Sequence, residues 1–200
     1  MQDWRIALAL AFLAAATVPS AAAFWKSSLP LHVLVQYPLI LGAGVLCGAA
    51  VARRRPHKQG KLRLEGLAAV LLGCFVLSFW MVPRWVDAAA LDAWIDAAKV
   101  ASLVLLVGLL WGWGWYQIGP LDRGFLVANG ISMLFALGIL YRSAPVRLCN
   151  AYLLDEQSDL GRGMIAIAGV ATSMIAARVM AGDGMRSQRI DMREQAQTKP

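Results

Sequence analysis

Six apolar stretches, each about as long as a bilayer is thick, constrain this chain more than any motif in it. Roughly 20 apolar residues in a helix cross the hydrocarbon core, and candidate spans lie at 5–24, 31–51, 64–82, 100–118, 125–141 and 163–180. Lipid offers no water to backbone N–H and C=O groups, so runs of this length must be helices. The 59% hydrophobic content and mean hydropathy of +0.58 are consistent with such a chain. The expected fold class is all-α, a polytopic transmembrane helical bundle over 1–181. The charged stretch 182–200 has no core-forming residues and is expected to be a disordered cytoplasmic tail.

Charge placement supplies an orientation. The linker 53–63 holds six of the nineteen Lys and Arg residues. With it on the cytoplasmic side, helix alternation puts thirteen basic residues inside and six outside (Lys26, Arg84, Lys99, Arg142, Arg147 and Arg162). That bias is the positive-inside pattern. It accounts for the net charge of +7 without nucleic acid, because no aromatic-bearing soluble module accompanies the basic run. Membrane lipids are the expected partner of the linker. The first span ends in Pro19-Ser20-Ala21-Ala22-Ala23, a small-residue run like a signal-peptidase site. Asp3 beside Arg5 weakens the positive n-region, so a retained anchor is expected; cleavage would leave five spans.

The connections are short, and the polar interest lies in the two outer loops, 83–96 and 142–162. The first reads as an interfacial helix leading into the fourth span, with Asp92 and Asp96 on one face and Trp80, Trp85 and Trp94 at headgroup depth. Gly42, Gly44, Gly48, Gly112 and Gly114 recur inside spans, where glycine lets helix backbones approach. Cys47 and Cys74 fall inside spans and Cys149 in an outer loop, with neither a disulfide framework nor a metal-binding pair.

Few residues could carry chemistry. His32 lies at the outer mouth of the second span, and Gln36, four residues on, faces the same way. An ionisable group there is a functional candidate; a structural, hydrogen-bonded histidine is the competing reading. His57 reads as a solvated linker residue, so two histidines at bilayer depth, and with them a bis-histidine haem, are excluded. Outer-loop carboxylates, among them Asp87 and Asp96, could join His32, Met81 or Cys149 around a cation. A solvated acidic face explains the same acids more simply. No P-loop, HExxH or nucleophile–base arrangement occurs, and no enzyme is expected. Asn129 and Ser132 are the weak hints of a mid-membrane transport path.

Three segments resemble one family. The run LHVLVQYPLILG (31–42) is similar to the histidine- and proline-containing segment of CtaG-type cytochrome c oxidase assembly factors. MVPRWVDAAALDAWIDAAKVASLVLLVGLLWGWGW (81–115) resembles that family's proline-led outer segment running into its next span, and NAYLLDEQSDLGRGMIAIAG (150–169) its lead-in to a late span. The chain departs from the family at its histidine pairs: Gln36 stands at one position, and the later pair falls around Asp96 and Lys99–Val100. The resemblance implies an inner-membrane helper in assembly or copper loading of a respiratory oxidase. Its metal candidates would be His32, Met81, Asp87 and Asp96, its cofactor copper, and its partners oxidase subunits, with the C-terminus cytoplasmic. The Asp155/Gln157 segment would be structural. The alternative is a metal-free structural or accessory subunit of a membrane complex, and a small-solute transporter comes third.

Overall fold

In the computed structural model, which describes residues 3–54, 61–146, 148–149 and 151–197, every regular element is helical. Helices α1 (Asp3–Thr17) and α2 (Pro19–Lys26) form the first apolar pair. They are followed by α3 (Leu29–Arg53), α4 (Lys61–Trp80) and the short α5 (Pro83–Leu91). The remaining helices are α6 (Ala93–Gly114), α7 (Pro120–Ser143) and α8 (Leu154–Gln197). Four helices are individually long and apolar enough to cross a membrane: α3, α6, α7 and the Leu154–Ala181 part of α8. Counting the bent pairs α1–α2 and α4–α5 as one span each brings the total to six. Linker residues 55–60 lie outside the described residues, as do 198–200 of the expected tail. Between Ala181 and Gln197 the backbone continues as helix, since extending a formed helix costs far less than nucleating one.

The breaks have local causes. A proline ring disfavours helical backbone in the residue before it. Val18 before Pro19 is accordingly extended (ψ 132°), and Val82 before Pro83 likewise (ψ 127°), giving bends of 61° and 71°. A third break falls at Asp92, whose carboxylate accepts the backbone N–H groups of Trp94 and Ile95 at 2.7 and 3.2 Å. That is an N-cap, so the outer loop is two helices rather than one. Helix α6 therefore begins at Ala93, about two turns before the apolar run at Val100.

Helices α3 and α6 form the centre. Where they cross, a methyl group on Gly108 would stand 2.7 Å from the Gly44 Cα, and methyls on Gly44, Gly48 and Gly112 would collide with opposing backbone. The packing role expected of these glycines holds there and at Gly114, against the Gly66 carbonyl of α4, whereas Gly42 meets only the flexible ring of Phe12. Helix α1 lies along α3, α4 lies along α6, and α7 and α8 form an antiparallel hairpin. The hairpin joins the bundle at one end, through the cluster Leu29, Val33, Val86, Tyr141, Leu160 and Met164. A second cluster, with Tyr37, Ile40, Trp80, Leu103 and Val107, fills the bundle beside it. Trp80 is buried within the bundle and donates its indole N–H to Ser102 Oγ at 2.7 Å.

Candidate functional site: a buried lysine held by three acceptors

Between the two apolar clusters sits a group of polar side chains sealed from the surface. His32, Gln36 and Lys99 are each 0% exposed. His32 and Gln36 belong to a π-helical stretch of α3, His32–Gln36, and Lys99 comes from the second turn of α6. The Lys99 Nζ lies 2.8 Å from Asp96 Oδ1, 2.8 Å from His32 Nε2 and 3.4 Å from Gln36 Oε1. It also stands 5.2 Å over the ring of Tyr37. An ammonium has three N–H donors and no acceptor; here it hydrogen-bonds His32 and Gln36, and the Asp96 carboxylate faces it as its counter-ion.

The arrangement fixes its neighbours in turn. Because Lys99 can only donate, His32 Nε2 accepts, and the imidazole proton sits on Nδ1. Nδ1 then donates to the Tyr152 hydroxyl at 2.6 Å, bringing in the segment that leads to α8. Gln36 turns its amide Nε2 to the Ala16 carbonyl of α1 at 3.0 Å. On the other side, Asp96 Oδ2 pairs with Lys26 of α2 at 2.7 Å, where side-chain exposure rises to 20% and 17% for Lys26 and Asp96. A chain of polar contacts thus runs from the half-buried rim (Lys26) through Asp96, Lys99 and His32 to Tyr152. It cross-links α1, α2, α3, α6 and the α8 lead-in. Its formal charge is one negative against two positive.

Of the four metal candidates, the fold brings two together. His32 and Asp96 meet, but through the Lys99 ammonium and not around an open position. Met81 packs between the two apolar clusters, and its carbonyl takes the Tyr141 hydroxyl at 3.4 Å. Asp87 accepts the Ala151 backbone N–H at 3.2 Å. Among the described residues no three His, Cys, Asp or Glu side chains gather as a metal-holding group. The donor set does not fit copper. The Nε2 lone pair a metal would need already takes a hydrogen bond from Lys99, and Cu(I) favours soft or imidazole ligands over a single imidazole with carboxylate and amide oxygens.

A neighbouring loop is held by Gln157, 2% exposed. Its Oε1 accepts the Leu148 N–H at 2.8 Å, and its Nε2 donates to the Tyr141 carbonyl at 3.2 Å. The structural part of the Asp155/Gln157 segment lies in this residue. Cys149 is a free, buried thiol beside Asp87, and burial, reinforced by that carboxylate, pushes it up to about 12. Burial likewise raises the Tyr152 phenol above its ordinary range, so it remains a hydroxyl. Asn129 and Ser132, the hints of a transport path, both lie on the exposed face of α7.

Sequence reasoning missed Lys99, which it counted among the outer-loop cations, and also Lys26, Tyr37 and Tyr152. Asp96 and Lys99, three residues apart ahead of an apolar run, were the available signal: on a helix such a pair neutralises itself. No protein-family model matches the chain, and no curated protein or solved structure matches it either.

Proposed function

We propose that this chain is a non-enzymatic, metal-free accessory protein of a bacterial inner membrane, serving the assembly or integrity of a larger membrane complex. The observation that carries this reading is the Lys99 ammonium, hydrogen-bonded to His32 and Gln36 and paired with the Asp96 carboxylate, where a metal site would need an empty position. A buried cation paired and hydrogen-bonded across two helices is a device for holding them in register. The positions that the CtaG-type resemblance gives to missing histidines, Gln36, Asp96 and Lys99, converge on His32, and this supports a shared scaffold. A respiratory oxidase is accordingly the complex the protein would help assemble, without loading copper.

The test separates the two versions. Purified without chelators, the protein should carry copper far below one equivalent per chain. His32→Gln, which keeps an acceptor for Lys99, should leave both protein level and host oxidase activity intact. About one copper per wild-type chain, lost together with oxidase activity in His32→Gln at unchanged protein level, would restore the copper-loading reading.

The same proposal places Arg53–Arg63 and the C-terminal end of α8 in the cytoplasm, with Asp87–Asp96 and 147–159 outside, on the strength of the basic bias. Cys149, buried and with its thiol raised to about 12, should stay silent toward an impermeant maleimide. A cysteine placed at Asp92 should label in intact cells and one placed at Gln59 should not. The reverse pattern would invert the topology.

A further inference from the structure

Away from the lysine site, at the end of the bundle that carries Arg53, a groove of about 290 Å³ opens between α3 and α6. Val45, Ala49, Trp111, Gly112, Trp115 and Tyr116 line it. The α3 wall is ordered along its length. Val45, Ala49 and Arg53 recur every four residues and so share one helix face, spanning about 12 Å from apolar interior to cationic end. The α6 wall is close because Gly112 has no side chain: a methyl there would run into the Val45 carbonyl. Trp111 gives its indole N–H to the Val70 carbonyl of α4 at 3.0 Å, so its ring serves as an apolar wall.

The mouth is cationic. Arg53 donates to the Tyr116 hydroxyl at 3.3 Å and stands 5.7 Å over its ring. Arg5 of α1, its guanidinium 5.2 Å over the Trp4 ring, adds its positive field at the same phenol. Arg123 lies 5.6 Å over Trp115 and donates to its carbonyl at 3.0 Å. Two guanidiniums thus lie over the two aromatics that line one end of the apolar slot, and Arg5 is a third cation near them. A guanidinium stacked on a ring keeps a planar N–H fork that suits phosphate oxygens.

We propose that this groove binds an anionic phospholipid, with one acyl chain along Val45, Ala49 and Gly112 and the phosphate held by Arg53 and Arg5 beside Tyr116. Charge complementarity at the mouth and the apolar-to-cationic gradient along α3 select that occupant. A free phosphate would leave the slot empty, and a zwitterionic lipid would place its own cation among the arginines. The lipid would hold α1, α3 and α6 together at the end of the bundle opposite the hairpin joint.

Native mass spectrometry of the delipidated full chain, with a thermal melt in detergent, tests this. The probes are dioleoylphosphatidylglycerol, dioleoylphosphatidylcholine with the same chains, and inorganic phosphate. Phosphatidylglycerol should bind and raise the melting temperature, and the other two should do neither. An arginine at an anionic membrane surface contributes a factor of about five in binding. Arg53→Gln should therefore weaken phosphatidylglycerol about fivefold and the Arg5→Gln/Arg53→Gln pair about twenty-five-fold. Arg178→Gln, which removes a charge from exposed α8, should change nothing. Val45→Trp should block the slot with both arginines in place. Undiminished phosphatidylglycerol binding in the double variant or in Val45→Trp would overturn the proposal. Equal binding of phosphatidylcholine, or of phosphate alone, would also overturn it.

Discussion

Asp96→Asn should be among the most damaging single substitutions in this protein, and Lys99→Met should be milder although Lys99 is the more deeply buried. The asymmetry follows from charge. Asp96 stands between Lys26 at 2.7 Å and Lys99 at 2.8 Å. Converting it to an amide leaves two cations without a counter-ion in a poorly hydrated site. Breaking a buried ion pair by removing one partner costs about 3–5 kcal/mol, enough to unfold a marginal protein. Lys99→Met instead leaves the Lys26–Asp96 pair neutral and intact. It fills much of the space with apolar atoms and costs mainly the unpaired acceptors on His32 and Gln36, about 1–3 kcal/mol. The double variant Asp96→Asn/Lys99→Met should therefore be more stable than Asp96→Asn alone. Thermal unfolding in detergent, with protein level in the membrane as a second reading, gives the cycle. A double variant no better than Asp96→Asn would mean that the lysine is not held by the carboxylate.

The same charge logic explains what the sequence made legible. Helix length and apolarity are summed residue by residue, so the apolar helices and the close approach at the span glycines were legible; the bend at Pro19 falls inside a stretch read as one span, though a local rule accounts for it. Asp96 and Lys99 cost a hydropathy sum twice, once each, although in the fold they neutralise one another one turn apart. For that reason the run at Val100 marked the start of a span whose helix begins at Ala93. His32 and Gln36 could be paired from their spacing, but their shared partner could not, because Lys99 is 67 and 63 residues away. Tyr152, 120 residues from His32, reaches it only because the α7–α8 hairpin docks beside α3. Met81 and Asp87 were plausible ligands by chemistry alone. Packing gave one to the apolar clusters and the other to a loop N–H.

Gly48→Val is the second substitution with a large expected effect, and it tests the part of the fold that needs no charge at all. Even a methyl group at Gly48 would overlap the Leu109 carbonyl and come within 2.8 Å of the Trp113 backbone nitrogen. Backbone cannot rotate aside as a side chain can, so α3 and α6 would have to separate. Overpacking a well-filled interior costs about 1–3 kcal/mol, and a clash against main chain belongs at or above the upper end. Separation would also pull Lys99 on α6 from His32 and Gln36 on α3, so the damage should reach the polar site. Gly124 and Gly130, on α7, meet nothing within 4 Å. Gly124→Ala and Gly130→Ala should leave the protein unchanged or more stable by about 0.5–1 kcal/mol, through helix propensity alone. Melting temperature measured across the three variants decides the matter. If Gly48→Val melts with the wild type, α3 and α6 do not cross where their glycines place them.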